Sequence, residues 1–172
     1  SDGLPSFTMV GLPSTQVKEA QDRVRTALKN NGIALPPKRI TVNLAPADIR
    51  KEGAGFDLPL AAAVLAAAGV LSAAQLGNVM MAGEIGLNGE IHAVSGILPM
   101  IIRAREEKCR FCVVPYDNLK EAHLIPDMKV IGVSNLQEMI RYVSVPDSYK
   151  KPVEKGKKIS QENPADFCEI HG

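Results

Sequence analysis

Apolar positions recur along this chain with two different periods, and the alternation of the two predicts its elements. Val17, Ala20, Val24, Ala27 and Leu28 fall on one face at helical spacing. Ser14 is the expected N-cap of that helix, and Asn30-Asn31-Gly32 its left-handed stop. Phe7 to Val10 before it reads as a short strand. After the rigid Pro36-Pro37 connector, Ile40, Val42 and Leu44 alternate with Thr41 and Asn43 as a half-buried strand. Ala45 to Gly55 reads as a loop. Asp57 is the expected cap of a second helix with Pro59 in its first turn. The body of that helix, Leu60 to Ala68, is small or apolar all round and is predicted to be buried on most sides.

The second half repeats the theme. Val79 to Leu87 is strand-like, and Asn88-Gly89 is a strong hairpin signal, because both residues tolerate positive φ. Glu90 to Val94 is the returning strand. Ser95 is the expected cap of a third helix reaching Lys108. Phe111 to Val114 and Met128 to Val133 predict strands, with a short helix from Asn118 to His123 and a last one from Leu136 to Val143. Strands interleaved with helices predict a layered α/β domain, and the hairpin makes its sheet mixed. That domain is expected over residues 1–145. A lysine-rich stretch without apolar period, 146–165, reads as a linker. Residues 166–172 regain apolar character and read as the start of a further module.

Composition narrows the function classes. Aromatic residues are only 4% of the chain and Trp is absent, so the core is aliphatic and a base-stacking platform is not expected. A net charge of +1 gives no overall basic footprint for nucleic acid. The longest apolar run, Leu58 to Leu71, falls short of the ~18 residues a membrane span needs. Three cysteines and a start without signal-peptide character give a cytoplasmic, reducing compartment as the expectation.

Candidate chemistry is sparse. The P-loop pattern is missing, and Gly83, Gly86 and Gly89 recur inside a predicted hairpin rather than between a strand and a helix. Cys109 and Cys112 form a Cys-x-x-Cys at a strand entrance, away from the helix N-terminus that activates a redox thiol. His92 and Ser95, with Glu84 and Glu90 nearby, lack a nucleophile elbow. Asp48, Glu52 and Asp57 could meet a cation, against the opposing Arg50 and Lys51. Lys38, Arg39, Arg50 and Lys51 bracket one strand and its loop, and are the candidate contacts to DNA or to a neighbouring subunit. No catalytic, cofactor-binding or metal-ligating residue is assigned.

Four stretches go beyond generic α/β character. Gly3-Leu4-Pro5-Ser6-Phe7-Thr8-Met9-Val10-Gly11-Leu12-Pro13, Arg39 to Asp48, Lys51-Glu52-Gly53 to Asp57-Leu58-Pro59, and Gly83 to Ile91 together resemble the ComM/YifB family of magnesium-chelatase-like AAA+ ATPases. Asp166 to Gly172 resembles the family's entry into its AAA+ module. The resemblance implies a fold like that of the Lon protease domain. It also implies a ring of like subunits and a link to DNA branch migration and competence. ATP and Mg would belong to the AAA+ module, with no cofactor in this stretch. Laid on the Lon-type Ser and Lys motifs, the nucleophile falls at Gly55 and the base at Leu98. A slip of one residue offers Ala54 or Phe56, and Ile97 or Pro99, none competent for a Ser–Lys dyad. The expectation is therefore an inactive scaffold for assembly or DNA guidance. The alternatives are a peptidase using an unorthodox nucleophile such as Ser95, or a subunit related to magnesium chelatase.

Overall fold

Successive residues of the strands at 79–81, 111–115 and 130–133 alternate between two apolar layers. The computed structural model describes residues 6–10, 14–35, 39–43 and 55–152. Their elements run β1 (Ser6–Val10), α1 (Ser14–Asn30), β2 (Arg39–Asn43), α2 (Asp57–Ala67), α3 (Ala73–Leu76), β3 (Val79–Met81), β4 (Glu84–Ile85), β5 (Ile91–His92), α4 (Ile97–Glu106), β6 (Phe111–Pro115), α5 (Leu119–Ala122), β7 (Val130–Val133) and α6 (Leu136–Ser144). Short 3₁₀ turns occupy Tyr116–Asn118 and Pro146–Ser148.

Strands β3, β6 and β7 form a parallel sheet in the order β3-β6-β7, with Val113 opposite Met81 on one side and Ile131 on the other. Phe111, Val113, Ile131, Val133 and Met81 point to one face, where α1, α2 and α6 close the larger core. Cys112, Val114 and Val130 point to the opposite face, under α4 and α5. A parallel sheet covered on both faces needs unbroken apolar strands, and β6 and β7 are buried at every position. Each fully buried Leu, Ile or Val side chain contributes about 1.5–3 kcal/mol. Leu136, Met139 and Val143 present one buried stripe of α6. Along α2, Leu58, Leu60, Ala61, Ala62, Val64 and Leu65 are all buried, as its uniform apolarity predicts. A close approach also decides one residue type. A Cβ on Gly132 would stand 2.6 Å from Leu119 Cγ, so glycine in β7 lets α5 sit down on the sheet.

The α/β class holds, but among the described residues the hairpin does not join the parallel sheet. Strands β4 and β5 pair only with each other, and β1 and β2 form a separate parallel pair around α1. The single strand expected over Val79 to Leu87 breaks at Ala82-Gly83. There the Gly83 N–H donates to Gly55 C=O at 2.8 Å and Gly83 C=O accepts the Leu58 N–H at 3.1 Å, which turns the chain toward α2.

Two expected caps are also corrected. Ser95 is exposed, and α4 begins instead after Gly96, whose φ of +76° carries the turn. Asp57 does not cap α2; Phe56 occupies that position, and the Asp57 side chain is turned into the core. Beyond Val145, where the sequence reading begins a linker, packing continues. Tyr149 joins the larger core and sets its ring edge-on to Tyr142 at 5.1 Å, and Lys129 reaches Asp147 at 3.6 Å.

Candidate functional site

The hairpin at residues 86–90 is tethered by residues distant in sequence. Within it, Gly86 N–H donates to Glu90 C=O at 2.8 Å and Gly89 N–H to Gly86 C=O at 2.9 Å, enclosing a three-residue loop. Gly89 has φ of +93°, while Asn88 is not among the described residues with positive φ. The tip is thus a turn followed by a left-handed glycine bulge, rather than the two-residue turn expected from Asn-Gly. Asn30 Nδ2 donates to Leu87 C=O at 2.7 Å, and Asn31 Nδ2 to Ala27 C=O at 2.8 Å and Asn88 C=O at 3.2 Å. The residues read as a helix stop also grip the hairpin. From the other side, Leu136 N–H donates to Gly89 C=O at 3.0 Å and Ile91 N–H to Ser134 C=O at 2.9 Å.

Beneath the hairpin lies a buried ion pair that links three elements. Arg23 of α1 donates to Asp57 of α2 through Nε at 2.8 Å and Nη2 at 2.9 Å. The Ile85 N–H of β4 donates to the same carboxylate at 3.0 Å. Asp57 is wholly buried, whereas the Arg23 side chain retains 26% exposure. Burial is the largest influence on the Asp57 carboxyl and raises it above its ordinary value, with the Arg23 and Ile85 bonds pulling the other way. The hydrogen bond to Asp57 holds the Arg23 guanidinium further toward its charged form. Asp57 is therefore committed to structure, which removes it from the cation set. Asp48 and Glu52 lie outside the described residues. Among those described, no group of three or more His, Cys, Asp or Glu could hold a metal ion.

Val94, just past β5, faces one of the two positions that the Lon-like resemblance singles out. A Cβ at Gly55 would lie 3.6 Å from Val94 Cγ1, and Val94 and Leu98 are each partly buried against the smaller core. Asn118, nearly buried, fixes Val94 by accepting its N–H at 3.0 Å and donating to its C=O at 2.9 Å. A further bond from Asn118 Nδ2 to Glu121 Oε1 at 2.6 Å orients the carboxamide. Gly55 and Leu98 carry neither a hydroxyl nor an amine. His92, exposed, stands 3.5 Å from Glu90 across the hairpin end.

The glycine run does not fit a phosphate. A phosphate cradle presents unpaired backbone N–H groups, yet those of Gly83, Gly86 and Gly89 all donate to backbone carbonyls within the fold. The Cys-x-x-Cys is equally committed to packing. Burial pushes the Cys112 thiol up to about 12 and raises that of Cys109, the reverse of what a redox or metal-binding thiol needs.

Lys38, Arg50 and Lys51 lie outside the described residues; Arg39 opens β2, and its side chain lies outside them as well. Arg23 and Asn118 carried no signal in the sequence. Arg23 sits among other charges on an amphipathic helix, and Asn118 reads as a helix start.

Residues 1–118 match the family described as subunit ChlI of Mg-chelatase. The chain is 40% identical to competence protein ComM of Haemophilus influenzae, in a match covering 100% of this chain and 34% of that protein. It is 41% identical to YifB of Escherichia coli, over 88% of this chain and 30% of the relative. The chain thus spans about a third of the length of these curated relatives.

Proposed function

Because the chain belongs to the ComM/YifB family, the family of the ChlI subunit of Mg-chelatase, we propose that it is a non-catalytic assembly and DNA-guiding module of a ring-forming AAA+ ATPase. The observation that carries the non-catalytic half is the pair Gly55 and Leu98. On the Lon-like alignment they stand where a protease keeps its nucleophile and base; Gly55 faces Val94, and Leu98 packs against the smaller apolar core. Hydrolysis by a Ser–Lys dyad needs a hydroxyl beside a desolvated amine. Gly55 and Leu98 supply neither. ATP and Mg belong, on this reading, to the AAA+ part of the full-length protein, in keeping with the internally committed glycine N–H groups of this chain.

The assembly half draws support from a hairpin held rigid from two sides with Leu87, 56% exposed, at its tip. A role beside DNA takes support from the competence function named for the Haemophilus relative and from the basic residues Lys38, Arg39, Arg50 and Lys51.

Two measurements test these halves separately. Incubation with unfolded casein and with a fluorophosphonate probe is expected to give neither turnover nor labelling. Turnover abolished by Ser95→Ala would overturn the scaffold reading. For DNA, binding to forked and single-stranded substrates is titrated with salt. Arg39→Ala and Lys51→Ala are each expected to lower the salt slope by about one. Negligible, salt-independent binding would refute DNA guidance and leave assembly alone.

A further inference from the structure

We propose that Asn88 is a conformation-gated deamidation site, shielded while the hairpin tip is docked and reactive once the tip lifts away. The chemistry needs only the chain and water. The Gly89 backbone nitrogen loses its proton and attacks Asn88 Cγ. An N–C bond forms, the bond from Cγ to the side-chain nitrogen breaks, and that nitrogen takes up a proton and leaves as ammonia. Water then opens the five-membered imide at either carbonyl, giving aspartate or isoaspartate. A glycine after the asparagine is what makes the attack sterically easy.

The structure exposes one reactant and restrains the other. Asn88 is exposed, and among the described residues nothing holds its carboxamide. Gly89 is buried; its N–H is held by Gly86 C=O at 2.9 Å and its C=O by Leu136 N–H at 3.0 Å. The Leu87 and Asn88 carbonyls are tied to Asn30 and Asn31 at the end of α1. With both flanking peptide planes fixed, the Gly89 nitrogen cannot swing over Cγ until the tip detaches.

The product opposes re-docking. A new carboxylate at position 88 would stand beside Glu90, whose Oε1 accepts the Asn88 N–H at 3.2 Å. It would also face the C-terminal end of α1, the negative end of the helix dipole. Isoaspartate lengthens the backbone inside the loop closed by the Gly86–Glu90 hydrogen bond and spoils its register. Modification would thus record past opening of the hairpin.

The test is ageing of the whole chain in mildly alkaline buffer, with peptide mapping of the gain of about 1 Da at Asn88. Three hydrogen bonds hold the tip from outside, so the folded chain is expected to react about 10- to 1000-fold more slowly than the chain in concentrated urea. Asn30→Ala removes only the bond from an exposed side chain and is expected to accelerate the folded-state reaction roughly two- to tenfold. The rate should also climb in urea well below the unfolding midpoint. Equal rates in folded and unfolded chain would overturn the proposal. So would an unchanged rate in Asn30→Ala, or a rate that rises only with global unfolding.

Discussion

Replacing Arg23 by methionine strips a fully buried carboxylate of its charged partner. In the native fold Asp57 accepts two bonds from Arg23 and one from the Ile85 N–H; in the variant only the last remains. Removing one member of a buried ion pair costs about 3–5 kcal/mol. The Arg23 side chain is 26% exposed, so water reaches the site once it is removed, and the expected loss falls near the lower end, about 3 kcal/mol. Against a domain stability of about 5–15 kcal/mol, that is a large fraction.

The double variant Arg23→Met with Asp57→Asn separates charge from shape. A neutral carboxamide still offers an oxygen to Ile85, so the double change is expected to cost only about 1–2 kcal/mol, less than the single. Urea unfolding followed by far-UV circular dichroism reads both, because the chain has no Trp to report by fluorescence. The pH dependence has a definite sign. Without Arg23, the native carboxyl rises further above its unfolded value of 3.8, so the native state holds its proton more tightly than the unfolded state. The deficit of Arg23→Met should be largest near neutrality and shrink as pH falls toward 3.8. A single-variant loss below about 1 kcal/mol, the scale of an exposed ion pair, would refute the reasoning. A double variant less stable than the single would do the same.

Gly132→Ala is expected to destabilise by about 1–3 kcal/mol, because the added methyl overlaps Leu119, and Leu119→Ala should recover part of that loss by clearing the space. An additive double variant, measured by the same urea titration, would show that some other constraint fixes the glycine. Cys112, fully buried with its thiol pushed up to about 12, should resist iodoacetamide in the folded chain and react only on unfolding. Peptide mapping scores it separately from Cys109 and Cys168, and prompt folded-state alkylation at Cys112 would contradict the burial argument.

What was legible in the sequence is what repeats. The helical face of α1 and the apolar runs of β6 and β7 announce themselves because periodicity reflects one buried surface at a time. What escaped depends on partners far along the chain. Asp57 looks like a cap until Arg23, 34 residues earlier, turns it inward. Asn88-Gly89 signals a hairpin correctly, but its turn type is settled by Asn31 and Leu136, which hold the tip from outside. Ser95 has the chemistry of a cap, yet the left-handed Gly96 starts the helix one residue later. At the candidate proteolytic positions the sequence supplied the residue types, Gly55 and Leu98, and the structure added their apolar surroundings, Val94 beside Gly55 and the smaller core under Leu98.

The segment after α6 has a mechanical meaning. Tyr149 is set edge-on against Tyr142 and packs on the larger core. Tension arriving from residues beyond Pro152 would load this aromatic contact before it could fray the end of α6. The larger core would then feel such a pull at Tyr149 rather than through the helix.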